Sequence, residues 1–252
     1  MSRLTRLLRT YKVLPERNRG VPVIHLVPAT TSLVDELLER VQDDVQLACP
    51  GTYYEESYRG VERNYWDCAL GWISAMPKGI RVVDFGAAYC TLAVLSKRLL
   101  DAQVTCVDAV DVFCPRALLD QEGIQHVKKH IEVDELADLG GFDLVIFTEV
   151  LEHLNFHPKH TLQKFRSVMN KGAMLILTTP DADQWGLTTK YYNSLDELPA
   201  PDRSKEWIDD HIWQYTDHEL FALLAECGFK VEAFGISGQT ARHMNVLCSV
   251  RP

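Results

Sequence analysis

Apolar and polar positions follow two different periods along this chain, and the change of period divides it. Up to about residue 78 the spacing is helical. In TTSLVDELLERV, Leu33, Val34, Leu37, Leu38 and Val41 recur at three- and four-residue intervals and predict one buried face, with Ser32 and Asp35 spaced as a capping pair. CPGTYYEESYRG, carrying Pro50, Gly51 and Gly60, predicts a break before VERNYWDCALGWISAM resumes the helical pattern. Beyond it the apolar positions close up into short, nearly continuous runs, IRVVDF, AQVTCVD, GFDLVIFTE and AMLILTTP, with Asp, Glu or Thr at or near each end. Such runs predict strands buried on both faces. The segments between them, TLAVLSKRLL, CPRALLDQEG, HPKHTLQKFRSVMNKG and TDHELFALLAECG, are of helix length, the last two closing on Gly172 and Gly228 as C-terminal stops.

A weaker strand is expected in HVKKHIEV, and the last two runs, FKVEAFGIS and MNVLCSV, stand too close for a helical crossover and predict an antiparallel pair. The expected fold is therefore α/β: a mostly parallel seven-stranded sheet with helices on both faces and a final antiparallel hairpin. Residues 1–78 read as a helical extension and 79–252 as the sheet domain. The stretch 181–210, rich in Trp, Tyr, Asp and Pro, is too long for a connector and is expected to cover the site, with Trp185, Tyr191, Tyr192 and Trp207 as amphipathic anchors.

Composition narrows the class. A chain of 252 residues with 46% hydrophobic content suits one domain with an appendage. A formal net charge of −9 opposes a general grip on polyphosphate, so no DNA partner is expected and RNA is disfavoured. The seven cysteines are odd in number and hold no C-x-x-C pair, which predicts reduced, mostly buried thiols and a cytoplasmic location. No apolar run reaches the ~20 residues of a membrane span. Near the start, Arg3, Arg6 and Arg9 alternate with Leu4, Leu7 and Leu8, as in a short solvated helix or in a targeting or membrane-surface helix. The oligomeric state stays open.

Ligands of parallel sheets bind outside the carboxyl ends of the strands. Asp84 and Gly86 end the first run in VVDFGAAYC, and Asp108 ends the second, about twenty residues on. A carboxylate there suits the two hydroxyls of a ribose, although Asp after a strand also serves as a helix cap. A dinucleotide fingerprint would place glycines where Ala88 and Cys90 stand, and their Cβ atoms would crowd a pyrophosphate. The loop thus favours an adenosine ligand without phosphates.

On these residues the chain resembles the class I S-adenosylmethionine (SAM)-dependent methyltransferases over about 80–250. VVDFGAAYC stands at the glycine loop, VTCVD at the acidic second strand, HIEVDEL at the third-strand turn, FDLVIFTEVLEHL at the fourth strand and MNKGAMLILTTPD at the fifth. The resemblance implies a Rossmann-like fold, SAM as cofactor, and methyl transfer to a hydroxyl or amine of a small molecule or saccharide. Cofactor contacts carried over are Asp84, Gly86, Ala87, Ala88, Asp108, Glu132, Val133, Thr148 and Glu149, with one of Tyr53, Tyr54 or Tyr58 reaching the methionine end. Departures are Ala88, Cys90 and Glu132, the last standing where Asp is commoner.

Candidates to take a proton from the acceptor are His153 and His211, with no metal required. A rival reading takes Glu149, Glu152 and His153 as three ligands on one helical face, completed by His211, which resembles the metal-dependent small-RNA 2′-O-methyltransferases. A third reading is a catalytically idle partner subunit with an eroded cofactor loop.

Overall fold

The computed structural model describes residues 11–12, 27–28, 30–185, 191–238 and 243–251. The apolar runs become β1 (Arg81–Phe85), β2 (Gln103–Asp108), β3 (Gln125–Lys128), β4 (Phe142–Thr148), β5 (Met169–Pro180), β6 (Phe229–Ser237) and β7 (His243–Val250). Their order in the sheet is β3-β2-β1-β4-β5-β7-β6. Neighbours among β1 to β5 pair in parallel, while β7 lies antiparallel to both β5 and β6. The expected closing hairpin is present, with its second strand inserted between β5 and the first. A separate two-residue ladder joins Tyr11–Lys12 to Val27–Pro28.

The central strands are apolar on both faces because helices cover both. On one side pack α1 (Ser32–Ala48), α2 (Arg59–Ser74), α3 (Thr91–Leu100) and α4 (Arg116–Glu122); on the other, α5 (Lys159–Ser167) and α6 (Asp217–Glu226). Trp66, Leu70, Trp72 and Ile73 of α2 belong to the same buried cluster as Val82 of β1 and Leu95 of α3. The helical extension thus shares its core with the sheet.

Several local expectations are corrected. Gly60 does not break the helix: it lies inside α2, continuous with a π-helical turn at Tyr54–Tyr58, because its cost of about 1 kcal/mol is small beside the burial of the aromatic face that follows. The buried stripe of α1 is Val34, Leu38, Val41 and Val45, whereas Leu33 is 71% exposed. Ser32 makes no cap, since Thr31 is the N-cap residue, and Asp35 pairs instead with Arg63 at 2.5 Å. Gly172 is not a helix stop. Helix α5 ends at Ser167, Met169 already pairs with Phe142, and Gly172 at φ +80° sits in the bulge before pairing resumes at Leu144 and Met174. Gly228, at φ +83°, does follow the end of α6 as expected. Only the start of HVKKHIEV is a strand, because the backbone turns at His130, whose N–H donates to Asp134 at 2.7 Å.

All seven cysteines are free thiols, and Cys114 alone among them is only half-buried. No helix among the described residues is long and apolar enough to cross a membrane. The basic segment with Arg3, Arg6 and Arg9 and the side chain of Trp185 lie outside the described residues.

Candidate active site

The strand order reverses between β1 and β4, and the cleft opens at their carboxyl ends. On its β1 side the chain turns through Gly86, at φ +71°, where a Cβ would collide with the Val150 side chain. Ala88 and Cys90 take φ +44° and +60°, so the two positions where a glycine pattern is broken keep the left-handed backbone a glycine would supply. Holding each there costs roughly 1–2 kcal/mol. Part of the restraint comes from Asp108 at the end of β2, whose carboxylate accepts from the N–H groups of Ala88 at 3.0 Å and Val110 at 3.1 Å. Loop and acidic residue therefore form one unit.

Beneath this loop lies a recess bordered by Asp84, Ala87, Thr148, Tyr58 and Glu62. Asp84 is buried, and burial together with the Asp108 charge pushes its carboxyl up to about 8. Glu62 is a residue the sequence reading missed. It accepts from Gln42 at 2.9 Å, Tyr54 at 3.0 Å and Thr91 at 2.6 Å, and burial raises it to about 7. Of the three candidate tyrosines, Tyr58 borders the cleft, Tyr54 is locked on Glu62, and Tyr53 is 60% exposed.

On the β2 side the cleft continues past Asp108 to His130, Ile131, Glu132 and Trp207. Glu132 is buried, accepts from the Phe156 N–H at 2.8 Å, and is pushed up to about 7 by burial. Val133 stands in the adjoining turn, where its carbonyl accepts from Arg203 at 2.9 Å. It borders none of the cleft's cavities described here.

The larger cavity, about 420 Å³, lies beyond the ends of β4 and β5. Glu149 follows β4 at φ +56°, accepts from the Thr178 hydroxyl at 2.7 Å, and is hydrogen-bonded to His243 Nδ1 at 2.8 Å. Glu152 is fully buried and accepts from the Thr179 hydroxyl at 3.0 Å. Burial drives both carboxyls upward, Glu149 adding to the effect on Glu152. His211 reaches this wall because the Ile212 N–H donates to the Glu152 carbonyl at 2.7 Å, which sets its ring edge-on to His153 at 4.6 Å between centroids. Burial, then the neighbouring His211, lowers His153 to about 4, and burial lowers His211 as well. His243, also missed in the sequence, is buried and lowered to about 4. Burial thus disfavours the charged form of all three imidazoles.

The structure therefore brings together Asp84, Gly86, Ala87, Ala88, Asp108, Glu132, Thr148 and Glu149 along one cleft, with His153 and His211 at its far wall. Glu152, His153 and His211 also place ligand atoms within 4.8 Å of one another, a set able to take a cation, while Glu149 is turned away to Thr178 and His243. Of the segment 181–210, Trp207 faces the cleft, and the Asn155 side chain pins Ile208 through two hydrogen bonds of 2.9 and 2.8 Å. Tyr191 bonds Asp210 on the surface.

Residues 64–233 match a family described as "Methyltransferase domain". No curated protein matches by sequence. Among solved structures, a magnesium protoporphyrin IX methyltransferase from Synechocystis with bound S-adenosylhomocysteine (SAH) is 16% identical, with TM-score 0.57 over 87% of this chain and 98% of that one. A 1,6-didemethyltoxoflavin-N1-methyltransferase from Burkholderia thailandensis, also 16% identical, gives 0.57 over 95% and 100%. A SAM-dependent methyltransferase from Clostridium acetobutylicum, 9% identical, gives 0.56 over 80% and 100%. At such identities the likeness is one of fold.

Proposed function

Because this chain belongs to the methyltransferase-domain family, we propose that it binds SAM and transfers its methyl group to a hydroxyl or amine of a small molecule or saccharide. The observation that carries the reading is the Asp108 carboxylate, fixed by the Ala88 and Val110 N–H groups beside the left-handed loop at the switch point. Its oxygens keep lone pairs for two ribose hydroxyls. Glu132, with Val133 behind it, takes the adenine edge. Asp84, Gly86, Ala87, Ala88 and Thr148 hold the methionine end, with Tyr58 above it, and Glu149 separates that end from the acceptor. Among the described residues no lysine or arginine borders the recess of the two buried acids Asp84 and Glu62, which suits a ligand bearing an ammonium and a sulfonium.

When bound, SAM supplies a methyl group on a positively charged sulfur. What this chain contributes is alignment and exclusion of water. His153 and His211 border the acceptor's space, placed to accept a proton from a hydroxyl or ammonium. Glu149 orients His243 in the same wall. Trp207, from residues 191–210, closes the cleft on that side.

One arrangement favours a second reading, the convergence of Glu152, His153 and His211, in which a divalent ion occupies that wall. Incubating the protein with methyl-labelled SAM and fractionated cell extract tests both. We expect label in a small molecule and unchanged turnover after exhaustive chelation. Activity that dies with the chelator and returns with Mn²⁺ would promote the metal reading. Absence of any turnover with SAH still bound would identify an idle subunit.

A further inference from the structure

The charge of the acceptor wall sets what it can hold. Glu149, Glu152 and Asp209 border the larger cavity, and no lysine or arginine does so among the described residues. Three histidines, His153, His211 and His243, border it as well. A phosphate or carboxylate entering this space would give up part of its hydration to face carboxyl groups and rings, with no lysine or arginine among the described lining residues to pair it. A protonated nitrogen meets the opposite situation. Glu152, 1% exposed, has a hydroxyl donor in Thr179 and, among the described residues, no lysine or arginine within ion-pair distance, with His153 Nε2 at 3.9 Å. The aromatic side chains of Tyr58, Tyr65, Phe113 and Trp207 border the same space, residue types whose ring faces attract a cation.

We infer that the methyl acceptor is a small molecule that presents a basic nitrogen, an amine or nitrogen heterocycle, and carries no phosphate or carboxylate. This rests on the methyltransferase reading and narrows its acceptor from hydroxyl or amine to basic nitrogen. The same wall is unsuited to the phosphate backbone of RNA.

The test uses two probes of the same ring and nearly the same length, tryptamine and indole-3-propanoate, titrated calorimetrically into the full chain at neutral pH with and without saturating SAH. Tryptamine is expected to bind about tenfold tighter or better, in line with one charge-assisted contact. Glu152→Gln should carry that preference toward unity while SAH affinity holds, and Asp209→Asn on the exposed rim should reduce it less. The rim variant keeps a readout if the buried one fails to fold. Equal or tighter binding of the propanoate, or no binding of tryptamine at millimolar concentration, overturns the inference. A labelled product arising only from the anionic fraction of the extract does so too. Lack of SAH binding would count against the cofactor reading, and the charge preference would still be read on the unliganded cleft.

Discussion

The two ends of the cleft are built in opposite ways. At the cofactor end, Asp84, Gly86, Ala87 and Ala88 come from one strand and its turn, and Asp108 joins them from the neighbouring strand through a direct bond to the Ala88 N–H. At the acceptor end, Glu149, Glu152, His153, His211 and His243 arrive from the end of β4, a distant loop and the start of β7, and Tyr58 and Tyr65 from the helical extension. The first end is a local backbone device with few alternatives. The second is a convergence of separate segments, each replaceable without dismantling the loop that holds the cofactor. A family can keep the first and vary the second, and in the proposed reading the individual chemistry lies at the second.

If that contrast is right, damage at the cofactor end should be larger and less separable from folding. Gly86→Ala forces a Cβ toward Val150 at φ +71°. Left-handed strain and overpacking together predict a loss of about 2–4 kcal/mol in urea unfolding, accompanied by loss of SAH binding. Stability close to the parent would show the turn to be looser than described. Asp108→Ala should weaken SAH about 100-fold, the worth of two hydrogen bonds to a charged acceptor, and, by freeing the Ala88 and Val110 N–H groups, also cost about 1–3 kcal/mol in urea unfolding. Unchanged affinity in calorimetry would make Asp108 only a tether for Ala88.

The unliganded protein should also lose stability between about pH 6.5 and 8. Asp84, at about 8, and Glu62, at about 7, lie above their ordinary values, so the folded chain holds protons that the unfolded chain has released; their contribution is present below pH ~4 and is lost as pH rises through the folded values. The lowered His153 and His243 act the other way, between about 4 and 6.5, since there the unfolded chain takes up the extra protons. Glu62→Gln should flatten the decline above pH 6, and saturating SAM should flatten it further by neutralising the recess. A decline unaffected by either contradicts the role of these acids. At the acceptor end, Asn155→Ala removes the bonds to Ile208 and to the His153 carbonyl, and is expected to cost about 1–3 kcal/mol while SAH affinity stays within about twofold. A large fall in SAH affinity would mean that the two ends are not separable.

The same contrast explains what could be read from the sequence. Strand–turn–strand chemistry is contiguous, so Asp84, Gly86 and Asp108 stand out by position alone, and α3 follows its apolar pattern residue for residue. Local pattern also misled where tertiary packing prevailed, as at Gly60 inside α2 and at Gly172 in the β5 bulge. His243 and Glu62 were illegible for a different reason. Each looks like an ordinary strand or helix residue, and its importance arises only when β7 pairs beside β5, or when α2 packs against α3 and meets Thr91. His153 and His211 were visible as chemistry, but their edge-on contact depends on Ile212 bonding the Glu152 carbonyl.

The central claim is that this loop, stripped of two glycines yet left-handed at Ala88 and Cys90, holds an adenosine ligand without a pyrophosphate. Calorimetric titration of the full chain with SAH and with NAD, under the same buffer and salt, tests it most directly. Saturable binding of SAH with none of NAD is the predicted result. Tight NAD binding with no response to SAH or SAM would contradict the account.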